Sequence, residues 1–188
     1  MEIGLMGMPA WGEREAAKAL GIKWVGLGID LINPQATSGI VEYVRKLGFE
    51  PHGIVGAPAE DIHEPLFFHN FSRQLRRAVP QLDIDSWEIW PEPGCPYVTR
   101  SRYDLPDYHH VIRCAYESIK EVRPEVKVYN GGIGQHGTLW SVQAFIETSL
   151  DYTDGLNFHF FQFDGNPDRV VELIVGQLTR AYLYMKWI

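Results

Sequence analysis

The sequence predicts an α/β fold: a parallel sheet rolled into an incomplete or reduced barrel of about six β/α units. Three observations predict it. Short apolar strands alternate with amphipathic helices along the chain, an order that crossovers turn into a parallel sheet. No Gly-x-Gly-x-x-Gly follows the first strand, and Gly26-Leu27-Gly28 lies inside a strand, so a dinucleotide-binding open sheet is unsupported. The 188 residues give each unit about 31, whereas a closed barrel of eight would need about 250. One domain over residues 1–188 follows.

The elements read in order. Residues 2–6 form the first strand, and the helix over Glu13–Leu20 closes at Gly21, which needs no Cβ in a left-handed cap. Ile22–Ile29 is the second strand. Ser38 is expected to cap Ile40–Leu47, where Ile40, Val41, Val44 and Leu47 recur at helical spacing and Gly48 ends the run. Phe49–Val55 is the third strand, and Leu66–Val79 a helix with Phe67, Phe68, Phe71, Leu75 and Ala78 on one face. Asp85–Trp90 is the fourth strand. Its helix carries Tyr108, Val111, Ile112, Ala115, Ile119 and Val122 at a regular 3–4 spacing. Val126–Asn130 is the fifth strand, and Gly131-Gly132-Ile133-Gly134 reads as a flexible loop, lacking the Lys-Ser/Thr of a phosphate loop. A helix over Trp140–Leu150, a sixth strand over Leu156–Phe163 and a last helix capped by Asn166 complete the pattern.

Composition narrows the function classes. A net charge of −7 with no basic stripe argues against a nucleic-acid partner. No apolar run has the length to span a membrane, and the N-terminus lacks a basic n-region, so a cytoplasmic protein is expected. Cys95 and Cys114 make neither a disulfide framework nor a zinc cluster and read as buried thiols.

The fourth strand carries the chemistry. Trp87-Glu88-Ile89-Trp90-Pro91-Glu92-Pro93-Gly94 groups two carboxylates and two indoles. Strand alternation sets Glu88, Trp90 and Glu92 on one side and Trp87, Ile89 and Pro91 on the other. Glu92 falls at the carboxyl end, where barrel enzymes keep their reacting groups. Indole faces suit the apolar faces of sugar rings, and desolvation raises a carboxyl's pKa, as a general acid for glycosidic cleavage requires.

This segment resembles the Trp-Glu-x-Trp-Asn-Glu-Pro signature of the retaining glycoside hydrolases with (β/α)₈ barrels, the cellulase-like and xylosidase-like clan. Gly21–Val25, Tyr108–Pro124, Val128–Gly132 and Asp154–His159 resemble its second strand, fourth helix, fifth strand and sixth strand. The resemblance implies a TIM-barrel-like domain that acts on or binds carbohydrate without a cofactor. It implies Glu92 as general acid/base, with Trp90, Trp140, Asn130 and His159 as sugar contacts. Against the same pattern, Pro91 replaces the Asn before the acid, Gly26 the second-strand Arg, and Phe161 the sixth-strand Tyr. The strand-seven nucleophile has no counterpart in the 188 residues, which leaves Asp30 and Asp164 as candidates for a second carboxylate. A catalytically inactive binding or assembly protein derived from a glycosidase is the alternative.

No metal site is expected. His109 and His110 are adjacent on a helix and diverge, unlike an i,i+4 pair. His52 and His159 lie on strands that could face the barrel interior. A sheet of six strands leaves two edges with unpaired backbone groups, so a homo-oligomer or a complementing chain is expected to cover them.

Overall fold

The computed structural model describes residues 4–6, 14–56, 62–91, 105–134 and 150–159, together with Gly176 and Thr179. Five parallel strands stand in the order of the chain: β1 (Gly4–Met6), β2 (Trp24–Gly28), β3 (Glu50–Val55), β4 (Ser86–Ile89) and β5 (Lys127–Asn130). Between them run α1 (Arg14–Ala19), α2 (Gln35–Lys46), α3 (Phe67–Leu82) and α4 (Leu105–Val122). A doubly wound sheet reverses its strand order at a switch point. Here each strand pairs with the next in sequence, so every crossover steps the same way and the helices share one face. The opposite face is then covered by curling the sheet, which makes this the wall of a barrel.

Two short strands, β6 (Ile133–Gly134) and β7 (Phe158–His159), pair in parallel with each other. A bridge from Tyr129 to Gly155 links this pair to β5. Together β5 and β6 are one barrel strand interrupted at Gly131-Gly132, and β7 lies on the predicted sixth strand. The glycine-rich stretch is therefore structure and not the flexible loop its composition suggests. Its backbone passes so close to two neighbours that only glycine fits. A Cβ on Gly131 would stand 1.5 Å from the Trp90 carbonyl oxygen, and one on Gly132 would stand 2.0 Å from the His159 ring.

The two sheet faces divide sharply. Val25, Leu27, Val55, Trp87, Ile89 and Val128 belong to the apolar core with Val41 and Val44 of α2, Phe71 and Leu75 of α3, and Ile112 and Ile119 of α4. The other face carries Trp24, His52, Ser86, Glu88 and Tyr129, whose side chains contact one another. Burying each large apolar side chain on the helix side contributes about 2 kcal/mol, so that face supplies most of the stability.

Helix ends follow the glycine signals. The Gly21 amide donates to the Lys18 carbonyl and that of Ile22 to Ala17; Gly48 and Phe49 repeat the pattern on Arg45 and Val44. Gly21 and Gly48 have φ of 73° and 83°, which side chains resist. Gly48→Ala is expected to cost about 1 kcal/mol in a urea melt, whereas Gly39→Ala, inside α2 with open space around it, stabilises by about 0.5–1 kcal/mol. Equal effects at the two sites would contradict this account.

Three boundaries differ from expectation. Ser38 does not cap α2, which starts one turn earlier at Gln35 behind Pro34; the Ser38 hydroxyl donates instead to the Gln35 carbonyl. Proline's fixed φ, near −60° here, already suits a helix start, and it needs no hydroxyl cap. Helix α3 runs past Pro80 to Leu82, because Ala78, Val79 and Leu82 are buried and their packing outweighs one lost hydrogen bond. Strand β4 ends at Ile89: Trp90 turns to a φ of 55°, so the alternation that would place it beside Glu88 breaks there. Among the described residues no helix is long and apolar enough to cross a membrane. The helices predicted over Trp140–Leu150 and after Asn166, and Cys95, lie outside the described residues except for Leu150, Gly176 and Thr179; Leu150 opens a 3₁₀ turn, Leu150–Tyr152.

Candidate functional site

The interior face of the sheet converges on Glu88. It sits on β4 in register with Ile54 of β3 and Tyr129 of β5, and its side chain is 1% exposed. A carboxylate so placed needs donors; two stand within hydrogen-bond distance and a third ring lies just beyond. The Gly132 amide donates to Oε1 at 2.8 Å. His159 Nε2, from β7, lies 3.1 Å from Oε1 and 3.2 Å from Oε2. His52 Nε2, from β3, stands 3.8 Å from Oε2, beyond hydrogen-bond length, with its ring edge turned toward the carboxylate.

These contacts decide the charge state. Burial alone pushes the Glu88 carboxyl up; the hydrogen bond and charge of His159, the pull of His52 and the Gly132 amide outweigh it and hold the pKa at about 2. Glu88 is thus ionised at neutral pH. His52 is fixed from behind, with Nδ1 2.8 Å from the Ser86 hydroxyl and its ring stacked on Trp24 at 5.7 Å between centroids. Tyr129 closes the aromatic triangle, 6.0 Å from Trp24 and 5.9 Å from His52.

A second polar layer fixes the break in the fifth barrel strand. The Tyr108 hydroxyl donates to the Ile89 carbonyl at 3.3 Å and accepts from the Gly131 amide at 2.8 Å. Burial pushes its pKa well above the ordinary tyrosine value. Asn130 donates to the Gly131 and Asn157 carbonyls and accepts from the Asn157 amide at 2.7 Å. The Asn130 amide thereby joins β5 to the approach of β7.

The sequence-predicted residues fare differently. His159 is interior, 6% exposed and bonded to Glu88. Trp90 is buried in the core, and Asn130 is buried with its amide engaged in the backbone bonds above. Asp30 stands in the loop after β2, where its Oδ1 accepts from the Ile32 and Asn33 amides and caps that turn. Glu92, Trp140 and Asp164, like Phe161, lie outside the described residues. Sequence reasoning missed Glu88 as the centre of the site, treating it only as the partner of Glu92 on one strand side. The signal was available: a charged residue between Trp87 and Ile89 on a buried strand demands partners. His52 and His159, the imidazoles expected on strands facing the barrel interior, were able to supply them. Among the described residues no group of three His, Cys, Asp or Glu side chains is arranged to hold a metal ion.

Neither a family model nor a curated protein matches the sequence. Solved structures do match in shape. A glucosidase from Croceicoccus marinus aligns with a TM-score of 0.69 and 13% identity, over 96% of this chain and 48% of that one. A monomeric beta-xylosidase from Caulobacter crescentus gives 0.67 and 11%, over 99% and 49%. A family 51 alpha-L-arabinofuranosidase from Bifidobacterium longum gives 0.63 and 12%, over 91% and 44%. The chain has the barrel fold seen in these glycoside hydrolases and spans about half the length of the first two.

Proposed function

We propose that this chain acts on or binds carbohydrate at the carboxyl end of its barrel strands, with Glu92 as the general acid/base. The observation that carries it is the path of β4. The strand enters the barrel wall with its one carboxylate, Glu88, turned inward, and its sequence continues through Trp90-Pro91 to Glu92 at the end where barrel enzymes react. The fold shared with glucosidase and xylosidase structures supports the same reading. Trp140 is the candidate sugar platform, and Asp30 and Asp164 the candidates for a second carboxylate; a spacing of about 5–5.5 Å from Glu92 would make the reaction retaining and about 6.5–9.5 Å inverting. Glu92→Gln is expected to lower turnover of an aryl glycoside about 10²–10⁴-fold. Undiminished turnover in that variant overturns the assignment.

One observation favours a binding role without turnover. The positions of β2 beside His52 and Ile54 are Gly26 and Gly28, so this strand brings no charged group to the interior where the resembling enzymes place an Arg. That reading expects quenching of Trp fluorescence by a sugar with no product formed. Self-association, or pairing with a complementing chain, belongs to the same proposal: among the described residues β1 pairs only with β2. Light scattering at micromolar concentration is expected to show more than one copy, and a monomer counts against it.

A further inference from the structure

We propose that Glu88 is a positioning residue: its carboxylate holds His159 with hydrogen on Nε2 and ties the ends of β4, β6 and β7 into one rim beneath the carbohydrate site. The inference rests on the reading above for what lies over that rim, and on the geometry for everything else.

The carboxylate accepts from two groups and so links three strands. Oε1 takes the Gly132 amide at 2.8 Å, directly before β6, and lies 3.1 Å from His159 Nε2 on β7, while Glu88 itself belongs to β4. An ionised carboxylate has no hydrogen to give, so the imidazole nitrogen facing it must carry one. The ring is also held from the side, because a Cβ on Gly132 would come within 2.0–2.6 Å of three of its atoms. His159 is therefore fixed in rotation, with Nε2 as its donor toward Glu88, by groups on two other segments.

Among the described residues the titratable groups around Glu88 are His52 at 3.8 Å, His159, and Tyr108, whose own ionisation is opposed by burial and by the Glu88 charge. His52 is already engaged at Nδ1 by Ser86, which leaves Nε2 directed at the carboxylate. The approach to β7 is joined to β5 by the Tyr129–Gly155 bridge, the Asp154 amide bond to the Val128 carbonyl and the Asn130–Asn157 bonds, and the Glu88 contacts extend this junction to β4.

Long-range ¹H–¹⁵N spectra of the whole chain labelled at histidine nitrogen read the tautomer directly. In the unaltered protein at pH 7, His159 is expected to show hydrogen on Nε2 and the Gly132 amide a low-field proton shift. In Glu88→Gln, which is neutral and sets a donor NH2 in place of the second carboxylate oxygen 3.2 Å from Nε2, His159 shifts toward the Nδ1-protonated form and the Gly132 amide moves upfield. Gly132→Ala changes no charge and is expected to disturb the His159 resonances in the same direction, which covers the case of a Glu88 variant that does not fold. A bare Nε2 in the unaltered protein, or an unchanged His159 in folded Glu88→Gln, overturns the proposal. Sugar assays test the other reading separately. Where the unaltered chain turns over or binds a sugar, Glu88→Gln is expected to weaken kcat/KM or affinity about 10–100-fold. Where no sugar is handled, the carbohydrate reading fails and the spectra still decide the role of Glu88.

Discussion

Replacing Glu88 by Gln is expected to remove about 3 kcal/mol of folding stability at neutral pH, and most of that loss is expected to vanish by pH 3. The native pKa of about 2 lies below the unfolded value of 4.5. A carboxyl depressed in this way contributes stability fully above its unfolded value, and the contribution disappears as pH falls through 4.5 toward 2. A shift of that size corresponds to about 3 kcal/mol, of which about 2 kcal/mol is gone at pH 3. Comparing denaturant melts of the two proteins at pH 7 and pH 3 isolates this group from the other carboxylates. A difference that stays constant across that range would show that Glu88 is not ionised in the folded chain. The desolvation cost at 1% exposure makes the residue a poor choice for stability alone, since buried charge networks often lose to apolar packing. Its position fits a role in fixing the strand ends.

Gly131→Ala is expected to be the most damaging single methyl in the described chain. Its Cβ would meet the Trp90 carbonyl oxygen at 1.5 Å and the Ile89 oxygen at 2.7 Å, both backbone atoms of β4 and its exit. No side-chain rotation can relieve that contact. The strand end must separate from β5, which breaks the Gly131 amide bond to Tyr108 and moves Trp90 out of the core. A cost above about 4 kcal/mol, or failure to fold, is expected. Gly28→Ala, with nothing within 4 Å, serves as the control and should change stability by less than about 1 kcal/mol. Similar melting curves for the two variants would refute the close approach.

The methyl test also shows what a local reading misses. The helix endings at Gly21 and Gly48 were legible because a left-handed cap is a property of a few adjacent residues. The apolar face of α3 was legible for the same reason: Phe67, Phe71, Leu75 and Ala78 repeat at helical spacing and are buried as a stripe. Gly131-Gly132 looked like an ordinary flexible loop, since nothing beside it in sequence announces the Trp90 carbonyl or the His159 ring. Trp90 departs from expectation for the opposite reason. The period-2 pattern ends at Ile89, because the chain leaves the strand at Trp90 with a φ of 55°.

By itself the sequence determined the alternation of strand and helix, the parallel α/β class and the barrel likeness, because hydrophobic period and turn chemistry are local properties. It also drew attention to the fourth strand, where charge and indoles crowd together. Only the tertiary structure decided that Glu88 is the centre of the interior site. Its partners, His52, Gly132 and His159, lie 36, 44 and 71 residues away and meet only once three strands align. A buried carboxylate announces that it needs donors, but which residues provide them is set by strand register, and register is fixed by packing across the whole sheet.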